Sequence, residues 1–142
     1  ISGPLEGGVK LRPRGGANLH DFEGSLTEYC NEYVTKAVDE KKDYESVIDS
    51  WYSGAYLLET VPAALLILSN FSHDPEEAIV RAVNDTRDND TIAAIVGAAV
   101  GPLHGKSALP DRWVNNLTGR TKASDDGKIF ELLDKSRREF WR

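Results

Sequence analysis

Apolar residues recur along this chain at helical intervals, and nowhere does a strand-like alternation compete. Leu26, Tyr29, Cys30, Tyr33 and Ala37 share one face of a helix of about four turns, and Ser25 followed by Glu28 has capping-box spacing at its start. The run Asp39-Glu40-Lys41-Lys42-Asp43 forms its solvated end. After a Ser53-Gly54 break, residues 55–69 read as a core helix. Tyr56, Thr60, Ala63, Ala64 and Ile67 lie on one side, with Pro62 near the first turn or at a kink. Asp74-Pro75-Glu76-Glu77 starts the next helix, which runs to Asn84. It has an N-cap carboxylate, a proline in the first helical position and acids at the positive end.

A polar turn, residues 85–90, leads into a small-residue helix from Thr91 to Gly101, expected to stop at Pro102. Interior glycines cost about 1 kcal/mol each relative to alanine, so Gly97 and Gly101 predict a close approach by another helix backbone. Pro110 opens a short helix carrying Trp113 and Leu117. A last helix carries Ile129, Leu132, Leu133 and Phe140, with Ser124-Asp125-Asp126-Gly127 as its lead-in and cap. Residues 1–21 are rich in glycine and hold Pro4 and Pro13; they read as a loop or linker, with the helical domain at residues 22–142. The expected class is all-α.

Composition narrows the function. A net charge of −6 over 142 residues disfavours a phosphate-gripping nucleic-acid binder. The apolar runs from Val61 to Leu68 and from Ile92 to Leu103 fall short of the roughly 20 residues that cross a bilayer, so no membrane association is expected. The single cysteine, Cys30, forms no internal disulfide, which suits a reducing compartment and a cytoplasmic location. The chain begins at Ile1 with no signal-peptide pattern, and reads as a processed product or fragment. Sequons at Asn70, Asn84, Asn89 and Asn116 would matter only in a secreted protein.

Among residues with reactive chemistry, Asp88-Asn89-Asp90-Thr91 stands out, with carboxylates and a hydroxyl grouped just before a helix. Hard divalent cations such as magnesium and manganese take such oxygen donors, whereas helix capping by Asp88 or Asp90 is the plain structural alternative. An EF-hand register, a cysteine-based zinc site, a Gly-x-Ser-x-Gly elbow and a phosphate loop are all absent from the sequence. His20, His73 and His104 are widely spaced and read as surface or loop residues.

Several separate motifs between Ser53 and Leu117 resemble the C-terminal part of the ADP-ribosylglycohydrolase family. Ser53-Gly54-Ala55-Tyr56 with Thr60-Val61-Pro62-Ala63-Ala64-Leu65 resembles its Ser-Gly-Tyr segment and the following helix. The stretch from Asp74 to Asn84 is similar to the helix before its metal loop. Asp88-Asn89-Asp90-Thr91-Ile92-Ala93 is similar to its Asp-x-Asp-Thr-x-Ala signature, and Leu109-Pro110-Asp111-Arg112-Trp113 to the continuation.

The resemblance implies the C-terminal part of an orthogonal helical bundle that hydrolyses the bond joining ADP-ribose to a protein side chain or small molecule. It implies two magnesium or manganese ions, with Asp88, Asp90 and Thr91 as ligands and the two aspartates catalytic, and Ser53, Gly54 and Tyr56 beside the ADP-ribose. Further ligands would come from a Thr-Asp-Asp-like loop in an N-terminal half, supplied by a second chain or a longer precursor. The isolated chain is therefore expected to be weak or inactive. Thr86 and Arg87 stand where many relatives have Gly-Gly, and the chain is shorter than the family's usual domain. Both departures motivate an alternative: a non-catalytic helical module that binds ADP-ribose or a protein partner.

Overall fold

The computed structural model describes residues 9–14, 21–116 and 127–141. Its helices are α1 (Leu26–Tyr29), α2 (Lys36–Asp39), α3 (Tyr44–Ser50), α4 (Leu57–Phe71), α5 (Pro75–Asn84), α6 (Asn89–His104), α7 (Asp111–Val114) and α8 (Lys128–Phe140). A π-helical stretch, Cys30–Thr35, joins α1 to α2, and a 3₁₀ turn, Lys106–Ala108, follows α6. The described residues contain no strand, only an isolated bridge between Leu11 and Gly24. The architecture is all-α, as expected. The chain divides into two compact units, residues 1–108 and 109–142.

In the first unit α4 is the hub, with α5, α6, α3 and the first helical stretch packed around it. Ala63 and Ile67 of α4, Ala78 and Ala82 of α5, and Ile92, Val96 and Val100 of α6 have no exposed surface. Fully burying a side chain the size of Ile or Val contributes about 1.5–3 kcal/mol, so this triple layer outweighs any polar contact in the unit. Small residues on α5 let it lie close to its neighbours, and the Asp74 carboxylate caps it by accepting from the N–H groups of Glu76 and Glu77.

The capping box at Ser25 and Glu28 forms as predicted. The face of the first helix differs, however: Val34, not Tyr33, is buried alongside Tyr29 and Ala37. The π-helical stretch explains this, because its wider turn places the residue five positions after Tyr29 where an α-helix would place the fourth. Helix α3 had no counterpart in the sequence reading. Asp43, read as the end of a solvated charge run, caps it by accepting from the Ser46 N–H at 2.9 Å, and Tyr44, Val47 and Ile48 then reach the core.

Two prolines lie deeper in helices than expected. Pro62 is the sixth residue of α4, past the first turn, and is fully buried. Pro102 does not stop α6, which continues to His104 and ends at Gly105, with φ 79°. The Gly105 N–H still donates to the Gly101 carbonyl, and His104 Nε2 lies 2.6 Å from the Ser72 carbonyl oxygen, tying the last turn to the end of α4. His104 is thus a half-buried anchor. The close backbone approach predicted from Gly97 and Gly101 is not found. A Cβ on Gly97 would make an ordinary 4.0 Å contact with the Ile79 side chain, and one on Gly101 would meet nothing within 4 Å.

In the second unit, Pro110 caps α7, which carries Trp113, and Gly127, with φ 80°, occupies the N-cap of α8. Leu117 and the Ser124-Asp125-Asp126 lead-in lie outside the described residues.

Candidate functional site

The Ser53-Gly54 segment and the loop between α5 and α6, far apart in sequence, meet through Ser53. Its carbonyl accepts from the backbone N–H of Asp88 at 2.9 Å and of Arg87 at 3.2 Å, and its Oγ accepts a second bond from the Arg87 N–H at 3.1 Å. Ser53 is 3% exposed, so the acceptor side of these bonds is shielded from water. Among the described residues the other buried polar side chains are Glu59 and Thr60, in the first turn of α4, and Thr86, in the loop, next to the same two segments. Thr60 Oγ1 donates to the Gly54 carbonyl at 2.7 Å, and Thr86 Oγ1 to the Ala82 carbonyl at 2.6 Å. The Glu59 carboxylate accepts from the Tyr56 N–H at 3.4 Å. These bonds hold residues 54–56 out of helical geometry, which is why α4 begins at Leu57 and not at Ala55.

The loop is fixed from its other end as well. The Tyr44 hydroxyl donates to Asp85 Oδ2 at 3.1 Å, and Arg81 Nη1 lies 3.5 Å from the same oxygen. Burial, and next the Asp85 charge, push the Tyr44 phenol well above its ordinary range, so it stays a neutral donor. Asp85, Thr86, Arg87 and Asp88 are thereby each held by a bond to α3, α5 or Ser53.

What these bonds leave over is informative. Asp88 occupies the N-cap of α6, with φ −91° and ψ 60°, but its carboxylate makes no capping bond. The plain capping role considered for it is not realised, and its carboxylate oxygens have no partner among the described residues. Asp90 and Thr91 occupy the second and third helical positions, both exposed, so Asp88 and Thr91 are three residues apart, a spacing that shares a helix face. Two carboxylates and a hydroxyl are the donor chemistry of a hard divalent cation, and the residues fit part of such a shell. Among the described residues no three of His, Cys, Asp and Glu gather closely enough to hold a metal ion.

Gly54 and Tyr56 also have packing roles within the chain. A Cβ on Gly54 would lie 2.6 Å from the Glu59 carboxylate and 2.7 Å from the Tyr52 ring, so packing within the segment already requires glycine there. The Tyr56 ring carries the Arg14 guanidinium 4.0 Å from its centroid, which covers one face. Arg87 lies 4.7 Å over the Tyr52 ring. Glu59 and Arg14 were missed by sequence reasoning: a glutamate in a helix's first turn is commonplace, and Arg14 sits in a segment with no periodicity to orient it.

An all-helical domain that joins a Ser-Gly turn to an aspartate-bearing helix start defines the class. The chain matches the family described as ADP-ribosylglycohydrolase over residues 10–139, and it belongs to that family. It is 36% identical over 69 residues to the ADP-ribosylarginine hydrolase Tri1 of Pseudomonas putida (strain GB-1), an overlap of 49% of this chain and 18% of that protein. It is 22% identical over 117 residues to the ADP-ribosyl-[dinitrogen reductase] glycohydrolase of Rhodospirillum rubrum, covering 80% of this chain and 38% of the relative. The Tri1 protein of Serratia proteamaculans (strain 568) is 31% identical over 77 residues, 54% of this chain and 21% of its own length. The chain thus spans well under half the length of these relatives. No solved structure matches it. No helix among the described residues is long and apolar enough to cross a membrane.

Proposed function

We propose that this chain takes part in metal-dependent hydrolysis of the glycosidic bond between ADP-ribose and a protein side chain or small molecule. The observation that carries the reading is the Ser53 tether, which holds the Ser53–Tyr56 segment against the loop bearing Asp88 and leaves the Asp88 carboxylate uncapped. Asp88, Asp90 and Thr91 would hold magnesium or manganese, with a pair of ions completed by ligands from outside this chain. Bound metal of this kind supplies charge stabilisation and a more acidic water. The two carboxylates offset the metal charge and fix its position, while Ser53 and Gly54 keep the neighbouring backbone rigid. The Tyr56 ring offers a wall for the ligand.

The test is calorimetric and kinetic. Magnesium should bind the chain mixed with an N-terminal half of the domain, and the mixture should release ADP-ribose from an ADP-ribosylated peptide. Asp88→Asn and Asp90→Asn should each remove both signals while melting at the parent temperature. Unchanged turnover by Asp90→Asn would refute its ligand role. Ligand binding without turnover in the mixture would favour the non-catalytic module.

A further inference from the structure

We propose that Arg14 and Arg87 form a two-armed grip for the diphosphate of the ADP-ribosyl ligand, an assignment that rests on the reading given above. Each guanidinium carbon lies over a tyrosine ring, Arg14 4.0 Å from the Tyr56 centroid and Arg87 4.7 Å from that of Tyr52, and these tyrosines bracket the Ser53–Gly54 turn. Their Cα atoms cannot be more than about 14 Å apart along four residues of chain. Stacking uses only the face of a guanidinium. Among the described residues no carboxylate pairs with either guanidinium, and a planar N–H fork is the group that binds phosphate in pairs of hydrogen bonds.

The contrast with other arginines supports the assignment. Arg12 pairs with Glu23, Arg81 with Glu77, and Arg137 and Arg138 with Asp134. Arg81 and Arg112 also lie near rings, but Arg14 and Arg87 lie over a ring without a carboxylate partner among the described residues of a chain that carries an excess of acids. Each is also built onto a fixed base. The Arg87 N–H is held by Ser53, and the Tyr52 ring beneath its guanidinium lies against Gly54. Arg14 follows a segment tied down by the Leu11–Gly24 bridge and by Arg12 and Lys10 on Glu23. An anionic ligand nearing Asp85, Asp88 and Asp90 meets like charge, and cations on either side of the Ser53 turn offset it.

The experiment is calorimetry on the full 142-residue chain in EDTA, with ADP-ribose, inorganic pyrophosphate and adenosine as separate probes. ADP-ribose should bind, and Arg14→Ala and Arg87→Ala should each weaken it by about ten-fold or more, as expected for loss of charge-assisted hydrogen bonds. Arg14→Lys and Arg87→Lys should recover only part of the loss, because lysine keeps the charge without the fork. Adenosine binding should be the same in all variants, and melting curves should show them folded. If both alanine variants bind ADP-ribose like the parent, the grip is overturned and the ADP-ribose reading stands. If pyrophosphate binds as tightly as ADP-ribose and both depend equally on the arginines, the grip stands and the ADP-ribose reading falls. If neither phosphate compound binds, the grip is overturned.

Discussion

Helices α6 and α8 are comparable in length, at 16 and 13 residues, and both carry apolar residues at helical spacing. In α6 that spacing leads inward: Ile92, Val96 and Val100 have no exposed surface. In α8, Leu132, Leu133 and Phe140 are 55%, 60% and 75% exposed. Periodicity therefore says which face of a helix could be buried; burial itself depends on small-residue neighbours such as Ala78 and Ala82 of α5, which let α6 seat fully. Stability of the described fold should be concentrated in the first unit.

The largest effect tests that directly. Ile92→Ala should cost about 2–5 kcal/mol in urea unfolding, through lost transfer energy and the cavity left behind. Leu133→Ala, on the exposed face of α8, should stay within about 0.5 kcal/mol. Equal losses would mean that α8 is seated in solution as firmly as α6.

Next in size is a pair of glycines. Gly54→Ala forces the Glu59 carboxylate and the Tyr52 ring apart, and overpacking of this kind costs about 1–3 kcal/mol. Gly101→Ala adds a methyl group to open space inside α6 and should gain up to about 1 kcal/mol in thermal unfolding. A loss at Gly101 would revive the close helix approach that its sequence position suggested.

Much of this was legible in the sequence because it is local. The Ser25 and Asp74 caps and the limits of α5 depend on residues within a few positions of one another, whereas α6 begins at Asn89, two residues before the expected Thr91. What was not legible depends on distant contacts. The π-helical turn that buries Val34 in place of Tyr33 has no local signature, and Pro102 persists in α6 alongside the contact of His104 with Ser72. The site divides in the same way. The clustering of Asp88, Asp90 and Thr91 is visible in the sequence, and a ligand role for them is implied there only by the family resemblance, whereas the Ser53 tether and the Arg14–Tyr56 contact join segments separated by tens of residues.

The smallest effect is one of pH, and it reads the first unit alone, since all five tyrosines lie there. The Tyr29 phenol is pushed up to about 12, chiefly by burial and next by Tyr33. In the unfolded chain it titrates near the ordinary value of about 10. Between those values the unfolded state has shed a proton that the folded state keeps. The stabilisation is therefore complete below the ordinary value and declines as pH rises toward about 12. Urea midpoints should fall across that interval, with tyrosinate absorbance lagging in the folded protein; Tyr44, also raised by burial, contributes to the fall, so Tyr29→Phe should reduce its slope without removing it. A folded-state titration centred at the ordinary tyrosine value would show that Tyr29 is open to water, and would remove the π-helical register as the reason Tyr33 lies outside the core.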